Sequence, residues 1–378
     1  MSAKPRIAVI GAGALGGWTA LYLLRRGAQV ILLDAWGPGN SRASSGGETR
    51  ILRCSYGPNQ PYSKMAARAS QLWKDHERRW SRKLLKGNGV LWMARAENDQ
   101  FERESLPSLR EAGASYEDLS AAEIAKRWPQ INVEGISWGI YEPDAGYLLA
   151  RSACQAVVEA FQSEGGEYKI SSVLGIDLEQ DIKSGVSLAD GPKVTADQYI
   201  FACGPWMGKL FPEIIGSKIR STKQDVFFFG TPARDNRFSD EALPTWADHG
   251  DTFIYGIPGN QGRGFKIADD TRGPEFDPDN GERLVSMDGL KKIRDYVGFR
   301  FPAMKSAPLL ETRVCQYENT PDGHFIIDRH PHAKNVWLLG GGSGHGFKHG
   351  PAVGEMVADL VIRGGDADPL FRLTRFRK

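Results

Sequence analysis

The chain opens with two short apolar runs rich in β-branched residues, Arg6–Ile10 (RIAVI) and 29–33 (QVILL). Neither run alternates with polar residues, which is the pattern of strands covered on both faces of a parallel sheet. Residues 14–26 carry apolar side chains at helical spacing and stop at Gly27, a helix terminator. Strand, glycine turn, helix, strand and a closing Asp34 predict one βαβ unit. Positions 63–85 predict a long helix with Trp73 and Trp80 among its apolar positions, ended by Gly87 and Gly89. From 90–93 the texture changes to alternating strands, with a helix near Ala121–Arg127 and a turn at 143–146 (PDAG). A helix over 150–162 and strands near 172–178, 186–189 and 198–202 return to α/β character. The stretch 218–314 reads as strand-rich, with 226–229, 253–255 and 265–267 separated by turn-forming residues. A strand at 336–339, a glycine run and a helix at 352–363 close the chain. The two textures alternate, so the chain is predicted to cross repeatedly between an α/β domain (1–86, 150–215 and 320–378) and an α+β domain (87–149 and 216–319). The second is expected to be built on a mixed, largely antiparallel sheet.

A length of 378 residues suits two domains of ordinary size. With 41% hydrophobic residues the chain can bury a core, which excludes disorder as its main state. Lys+Arg 48 against Asp+Glu 46 leave +2, too little for a nucleic-acid or anionic-membrane footprint. The basic run at 74–86 reads as a solvated helix face. Four cysteines without a CxxC pair give neither a disulfide framework nor a zinc spacing; a reducing, cytoplasmic setting is expected. Residues 7–24 lack charge and imitate a leader or membrane span, yet Gly11, Gly13, Gly16 and Gly17 sit at turn spacings, so neither is expected. The 44 glycines gather toward the two ends of the chain, where backbone must come close to something.

Gly11-Ala12-Gly13-Ala14-Leu15-Gly16 is a GxGxxG pattern. Alone it says little, but here a strand precedes it, a helix follows, and Asp34 ends the next strand at the spacing of a dinucleotide-binding fingerprint. Gly11 permits the tight turn, Gly13 lets the backbone approach a pyrophosphate, and Gly16 lets helix and strand pack closely. The helix N-terminus offers its free N–H groups to the phosphates, and Asp34 is placed to accept hydrogen bonds from a ribose. The motif fits NAD and FAD equally. A second glycine run, 340–346 (GGGSGHG) before Phe347-Lys348, presents backbone N–H groups to another part of a ligand, which a nicotinamide enzyme has no need of.

The segments VIGAGALGG with Asp34, YIFACGPW, TPDGHFIID and GGGSGHGFKHGPAVGE together resemble the monomeric sarcosine oxidase and N-methyltryptophan oxidase group of FAD-dependent amine oxidases, over essentially the whole chain. The resemblance implies a Rossmann-type FAD-binding domain with a substrate domain beside it. It implies hydride transfer from a secondary or N-substituted amino acid to flavin N5, hydrolysis of the resulting imine, reoxidation by O2 to H2O2, and a monomer. Cys315, two residues before Tyr317 and five before Thr320-Pro321-Asp322, matches the cysteine that carries the flavin through sulfur. Cys54, Cys154 and Cys203 read as small buried residues.

The same resemblance gives Arg53 and Lys348 the substrate carboxylate, sets Arg50 against the flavin, and makes Lys266 the cation that activates oxygen. Tyr255 and Tyr317 line the substrate cavity, and His345 lines the site. Gly11, Gly13, Ala14, Leu15, Gly16, Asp34, Ser44, Thr49, Arg50, Gly342, Gly344, His345, Gly346 and Lys348 are expected at the cofactor. As residues alone, Lys266 reads equally as a surface strand lysine, and Arg50 and Arg53 offer the planar fork a carboxylate needs. His330 with His332, and His345 with His349, read as structural or solvated histidines, and no metal site is expected. Two positions depart from the family pattern: the Ser45-Gly46 pair stands where a histidine bears on flavin attachment, and Asp270 stands where a histidine follows the strand lysine. The second implies a substrate other than sarcosine itself, with Asp270 either a surface carboxylate or a holder of a cationic or hydroxylated tail. Two alternatives remain open on sequence: a dehydrogenase passing electrons to a quinone or protein, and a flavin-binding subunit without catalysis.

Overall fold

The computed structural model describes residues 4–174, 182, 184–250 and 252–376. A six-stranded sheet runs in the order Ile326–Arg329, Val336–Gly340, Gln198–Phe201, Arg6–Ile10, Gln29–Asp34, Glu167–Ile170, parallel except for its first pair. The apolar runs that predicted two-sided burial have it: Ile7, Ala8, Val9, Leu32 and Leu33 are fully buried. Helix Ala14–Arg25 covers one face and lies against helix Gly350–Arg363. The second helix brings Gly350 and Gly354 to that contact, where an added Cβ would come within 2.5 Å of the Trp18 ring and 2.7 Å of its backbone. Small residues there set the spacing between the helices.

An eight-stranded sheet runs Leu309–Asn319, Arg220–Phe229, Phe265–Asp269, Phe253–Ile257, Thr245–His249, Val90–Ala94, Trp138–Glu142, Glu117–Ser120. Its pairings are antiparallel except between Thr245–His249 and Val90–Ala94. The fold is therefore α/β with a mixed, largely antiparallel second sheet, as expected. Register decides which residues share a face, because side chains alternate along each strand. Thr222 pairs with Tyr317, Gln224 with Cys315, Phe228 with Lys266 and Ala268 with Tyr255. Those pairings put Tyr317, Cys315, Lys266 and Tyr255 on one face. The other face buries Phe227, Phe229, Phe265 and Ile267 against Ile293 and Val297 of helix Met287–Arg300.

Several elements differ from the pattern-based expectation. The helix expected over 63–85 spans Gln60–Trp80. It ends in a left-handed Ser81, and Glu77 turns back to accept the Leu85 N–H at 2.7 Å, so Leu85–Lys86 is a strand rather than the last helical turn. Helices Gln100–Ala112 and Met287–Arg300 lie in stretches read as strand-rich. The first carries an internal Pro107, and both keep few buried positions, so neither shows a wide apolar stripe. Of the strand expected near 172–178, residues 175–178 lie outside the described residues; Val173 forms an isolated bridge to Leu188.

Candidate active site

An elongated cavity starts at the carboxyl ends of the parallel strands, the usual ligand position in such sheets. Its walls include Gly11, Gly13, Ala14, Leu15, Asp34, Ser44, Arg50, Tyr317, Gly342, Gly344 and Gly346. Trp36 and Trp206, with ring centroids 4.9 Å apart, also line it. The glycines of the fingerprint divide by cause. A Cβ on Gly11 (φ +108°) would lie 2.3 Å from the Ala202 carbonyl oxygen, and one on Gly16 would lie 1.9 Å from that of Gly11. Both are glycine for packing. A Cβ on Gly13 would meet only Ser45 Oγ, at 3.3 Å, and would project where a ligand approaches. Asp34 accepts N–H groups from Ala12 at 2.8 Å, Trp36 at 2.9 Å and Gly37 at 2.7 Å. With about four acceptor directions on a carboxylate, roughly one remains for a ribose hydroxyl.

Further along the cavity stands a residue that sequence reasoning missed. Glu318 accepts the Gly342 N–H at 3.1 Å through Oε1, while its buried Oε2 has no partner among the described residues. Burial without a counter-charge raises its pKa to about 7. An orphaned acceptor in a cavity also lined by the GxGxxG turn fits a flavin chain rich in hydroxyl donors. The available signal was a lone acid in a segment otherwise neutral from Cys315 to Pro321.

At the sheet face, Lys266 is 3% exposed, so the surface-lysine reading falls. Its Nζ donates to the Thr49 carbonyl at 2.9 Å. Burial and the neighbouring Arg50 lower its pKa to about 7. Arg50 donates to the carbonyls of Ser44 at 2.6 Å and Thr49 at 2.8 Å, and its Nη2 lies 3.3 Å from Cys315 Sγ. Cys315 thus adjoins the cavity through Arg50. A Cβ on Gly46 would stand 1.9 Å from the Asn40 carbonyl oxygen, so the loop has no room for the family's histidine at that position.

The remaining residues gather around Tyr56 and Tyr317. Arg53 is stacked between Tyr56, 4.3 Å from its guanidinium carbon, and Trp92, at 4.7 Å. Its loop is held by buried Glu142, which accepts from Cys54 N at 2.7 Å, Ser55 N at 3.2 Å and Ser55 Oγ at 2.6 Å. Lys348, 4% exposed, donates to the Tyr56 hydroxyl at 2.7 Å and the His345 carbonyl at 3.0 Å. Burial and Arg53 press its pKa well below the usual lysine value. His345 Nε2 lies 3.0 Å from the Gly323 carbonyl. Burial and Lys348 lower its pKa to about 3, so the imidazole stays neutral. Tyr317 donates to Asp270 at 2.7 Å, which makes Asp270 an interior group and not an outward surface acid. Tyr56, Trp92 and Glu142 were not singled out by sequence; only the fold brings them to Arg53 and Lys348. Among the described residues, Arg50, Arg53, Lys266 and Lys348 form no ion pair.

Comparison with known proteins gives the family. The chain is 31% identical over 364 residues to the monomeric sarcosine oxidase of Arthrobacter sp. (strain TE1826), covering 95% of this chain and 92% of that protein. It is 27% identical over 382 residues to the N-methyl-L-tryptophan oxidase of Salmonella heidelberg (strain SL476), covering 99% and 98%. The L-proline dehydrogenase structure from P. horikoshii shares the fold, with a TM-score of 0.84 at 22% identity over 100% of this chain and 98% of that one. A family model described as FAD dependent oxidoreductase matches residues 6–360. The cradle of Gly13, the remaining acceptor of Asp34 and the orphaned Glu318 fit its cofactor, and the chain belongs to this FAD dependent oxidoreductase family.

Proposed function

We propose that the chain is an oxidase of secondary or N-substituted amino acids, acting on their CH–NH bond. One observation carries this reading: Lys348 is buried and Arg53 half-buried against the same Tyr56, neither has an ion-pair partner among the described residues, and the space beside them is the proposed substrate chamber. Burying unpaired cations is costly, so the chamber is complete when an anion arrives with the ligand. A substrate carboxylate supplies it, held by the Arg53 fork and the Lys348 ammonium. FAD, when bound, would supply the hydride acceptor for the amine carbon and a path for the two electrons to O2, giving H2O2 and an imine that water hydrolyses.

The chain's own groups divide the remaining work. Tyr255 and Tyr317 wall the chamber and limit water, and His345 lines it as a neutral group. Arg50, which lines the cavity, would offset negative charge on the ring. Lys266 stabilises the negative charge that develops on oxygen. Gly11, Gly13, Ala14, Leu15, Gly16 and Asp34 hold the nucleotide end. Ser44, Thr49, Gly342, Gly344, His345, Gly346 and Lys348 would hold the ring end, and Cys315 would be the flavin's point of attachment through sulfur. In this reading 1–86, 150–215 and 320–378 form the cofactor domain, 87–149 and 216–319 the substrate domain, and the protein is a cytoplasmic monomer. No described helix is long and apolar enough to cross a membrane. The relatives' names, sarcosine and N-methyl-L-tryptophan oxidase, share an N-methyl amino acid donor.

The test is anaerobic bleaching of the flavin by a panel of N-alkyl amino acids and the matching amines without carboxylate. The acids should bleach it and then give peroxide on admitting O2. Bleaching by the amines alone would overturn the reading, and turnover with a quinone but without peroxide would make it a dehydrogenase.

A further inference from the structure

The chamber that holds two cations also holds one anion. Asp270 follows the Phe265–Asp269 strand, and its backbone N–H donates to the Phe253 carbonyl at 2.7 Å, so its position continues the sheet. Oδ1 accepts the Tyr317 hydroxyl at 2.7 Å, and Oδ2 has no hydrogen-bond or ion-pair partner among the described residues. The side chain keeps part of its surface accessible, yet it is enclosed deeply enough for burial to raise its pKa. The carboxylate adjoins the cavity through Tyr317, which lines it. Its charged and titratable surroundings are Asp269 and Arg272 from its own segment, Tyr255 and Tyr317 from the sheet, and Arg53 and Lys348 across the chamber. Arg272 acts on Asp270 more strongly than Arg53 does, while its own donors go to Asn319 Oδ1 at 3.1 Å and toward the Ser343 carbonyl at 3.4 Å.

Resting on the reading above, we propose that Asp270 receives the ammonium end of a zwitterionic amino acid whose carboxylate lies on Arg53 and Lys348. Oδ2 accepts the ammonium proton, which leaves a neutral amine and a neutral carboxylic acid. His345 Nε2 is engaged with Gly323, and the lysine Nζ atoms lie on Thr49, Tyr56 and the His345 carbonyl, whereas Asp270 Oδ2 is left open. The substrate is therefore an amino acid that arrives protonated at nitrogen, and a carboxylate without an amine lacks half of its contacts.

The experiment compares wild-type holoenzyme with Asp270→Asn. Binding of an N-methyl amino acid and of acetate is followed by the flavin spectrum, and anaerobic reduction is followed across pH. Asp270→Asn should weaken the amino acid about tenfold or more, the loss of one charge-assisted hydrogen bond. Acetate should bind as before or tighter. Reduction by the variant should fall at neutral pH and recover at high pH, where the amine deprotonates by itself. Equal weakening of both ligands, or a pH profile parallel to wild type, would overturn the proposal. Tyr317→Phe gives an independent reading: losing the hydrogen bond to the charged carboxylate should move the acid limb of reduction to higher pH, and an unmoved limb would equally overturn it. A wild-type flavin bleached by no N-substituted amino acid would instead defeat the functional reading.

Discussion

Lys348 Nζ donates to the Tyr56 hydroxyl at 2.7 Å, and the same oxygen lies 2.6 Å from His349 Nε2. One phenol therefore fixes a buried ammonium and also stacks on Arg53. Tyr56→Phe keeps the ring but leaves one Lys348 donor unpaired, which should cost about 1–3 kcal/mol of stability in urea denaturation. With Lys348 less well placed, KM for a carboxylate-bearing substrate should rise about 3- to 10-fold while the limiting rate of flavin reduction changes less. An unchanged KM would separate Tyr56 from the carboxylate site.

Lys266 has a stability consequence whose sign follows from proton counting. Its folded pKa lies at about 7 against 10.5 for an ordinary lysine. Between those values the unfolded chain holds the proton and the folded chain does not, so this group's contribution to stability rises with pH across the window. Below pH 7 the burial cost is fully present, on the order of 5 kcal/mol. Lys266→Met removes it, at the smaller loss of one hydrogen bond to Thr49. The variant should be more stable than wild type at pH 6, and the gap should narrow toward pH 10 in thermal denaturation. Its flavin should reoxidise much more slowly while its reduction changes little; equal slowing of both half-reactions would remove Lys266 from the oxygen step.

How far the sequence carried this picture depends on how local each cause is. Gly11 and Gly16 are demanded by contacts within or next to one βαβ unit, and such spacing is visible in a string of letters. Lys266, Tyr255, Cys315 and Tyr317 meet because four separate strands take one register, which no local pattern encodes; the resemblance supplied that knowledge. Glu318 and Tyr56 escaped notice because their importance lies in what faces them across more than 20 and 290 residues respectively. Asp270 was left between surface and cavity, since alternation gives a face but not what covers it. The early end of the helix at Trp80 was hidden because Glu77 satisfies backbone donors beyond the helix, a tertiary role for a residue that also suits a helix.

His345 stands at the centre of the site and invites assignment as a base. Burial and the Lys348 charge lower its pKa to about 3, so it carries no proton to exchange between pH 5 and 9. His345→Asn should change the rate or KM of flavin reduction without moving either limb of its pH profile. A limb near neutrality that disappears in the variant would restore His345 as a titrating group.

Attachment of the flavin can be tested at the residue proposed to carry it. Cys315 Sγ lies 3.3 Å from Arg50 Nη2, and the Arg50 fork is anchored on the Ser44 and Thr49 carbonyls, so the sulfur is positioned by an arginine that the loop itself holds. The nucleotide cradle at Gly13 and Asp34 belongs to other segments and does not depend on the sulfur. Cys315→Ser should therefore still bind FAD, but acid precipitation should leave a colourless pellet and a yellow supernatant, where wild type leaves the colour in the pellet. Arg50→Lys replaces a planar fork by a single point of contact and should leave only part of the flavin attached. The Gly46→His variant should not improve attachment, because its Cβ meets the Asn40 carbonyl; it should lose about 1–3 kcal/mol of stability instead. A wild-type pellet without colour would show that Cys315 stands beside the flavin without bonding to it.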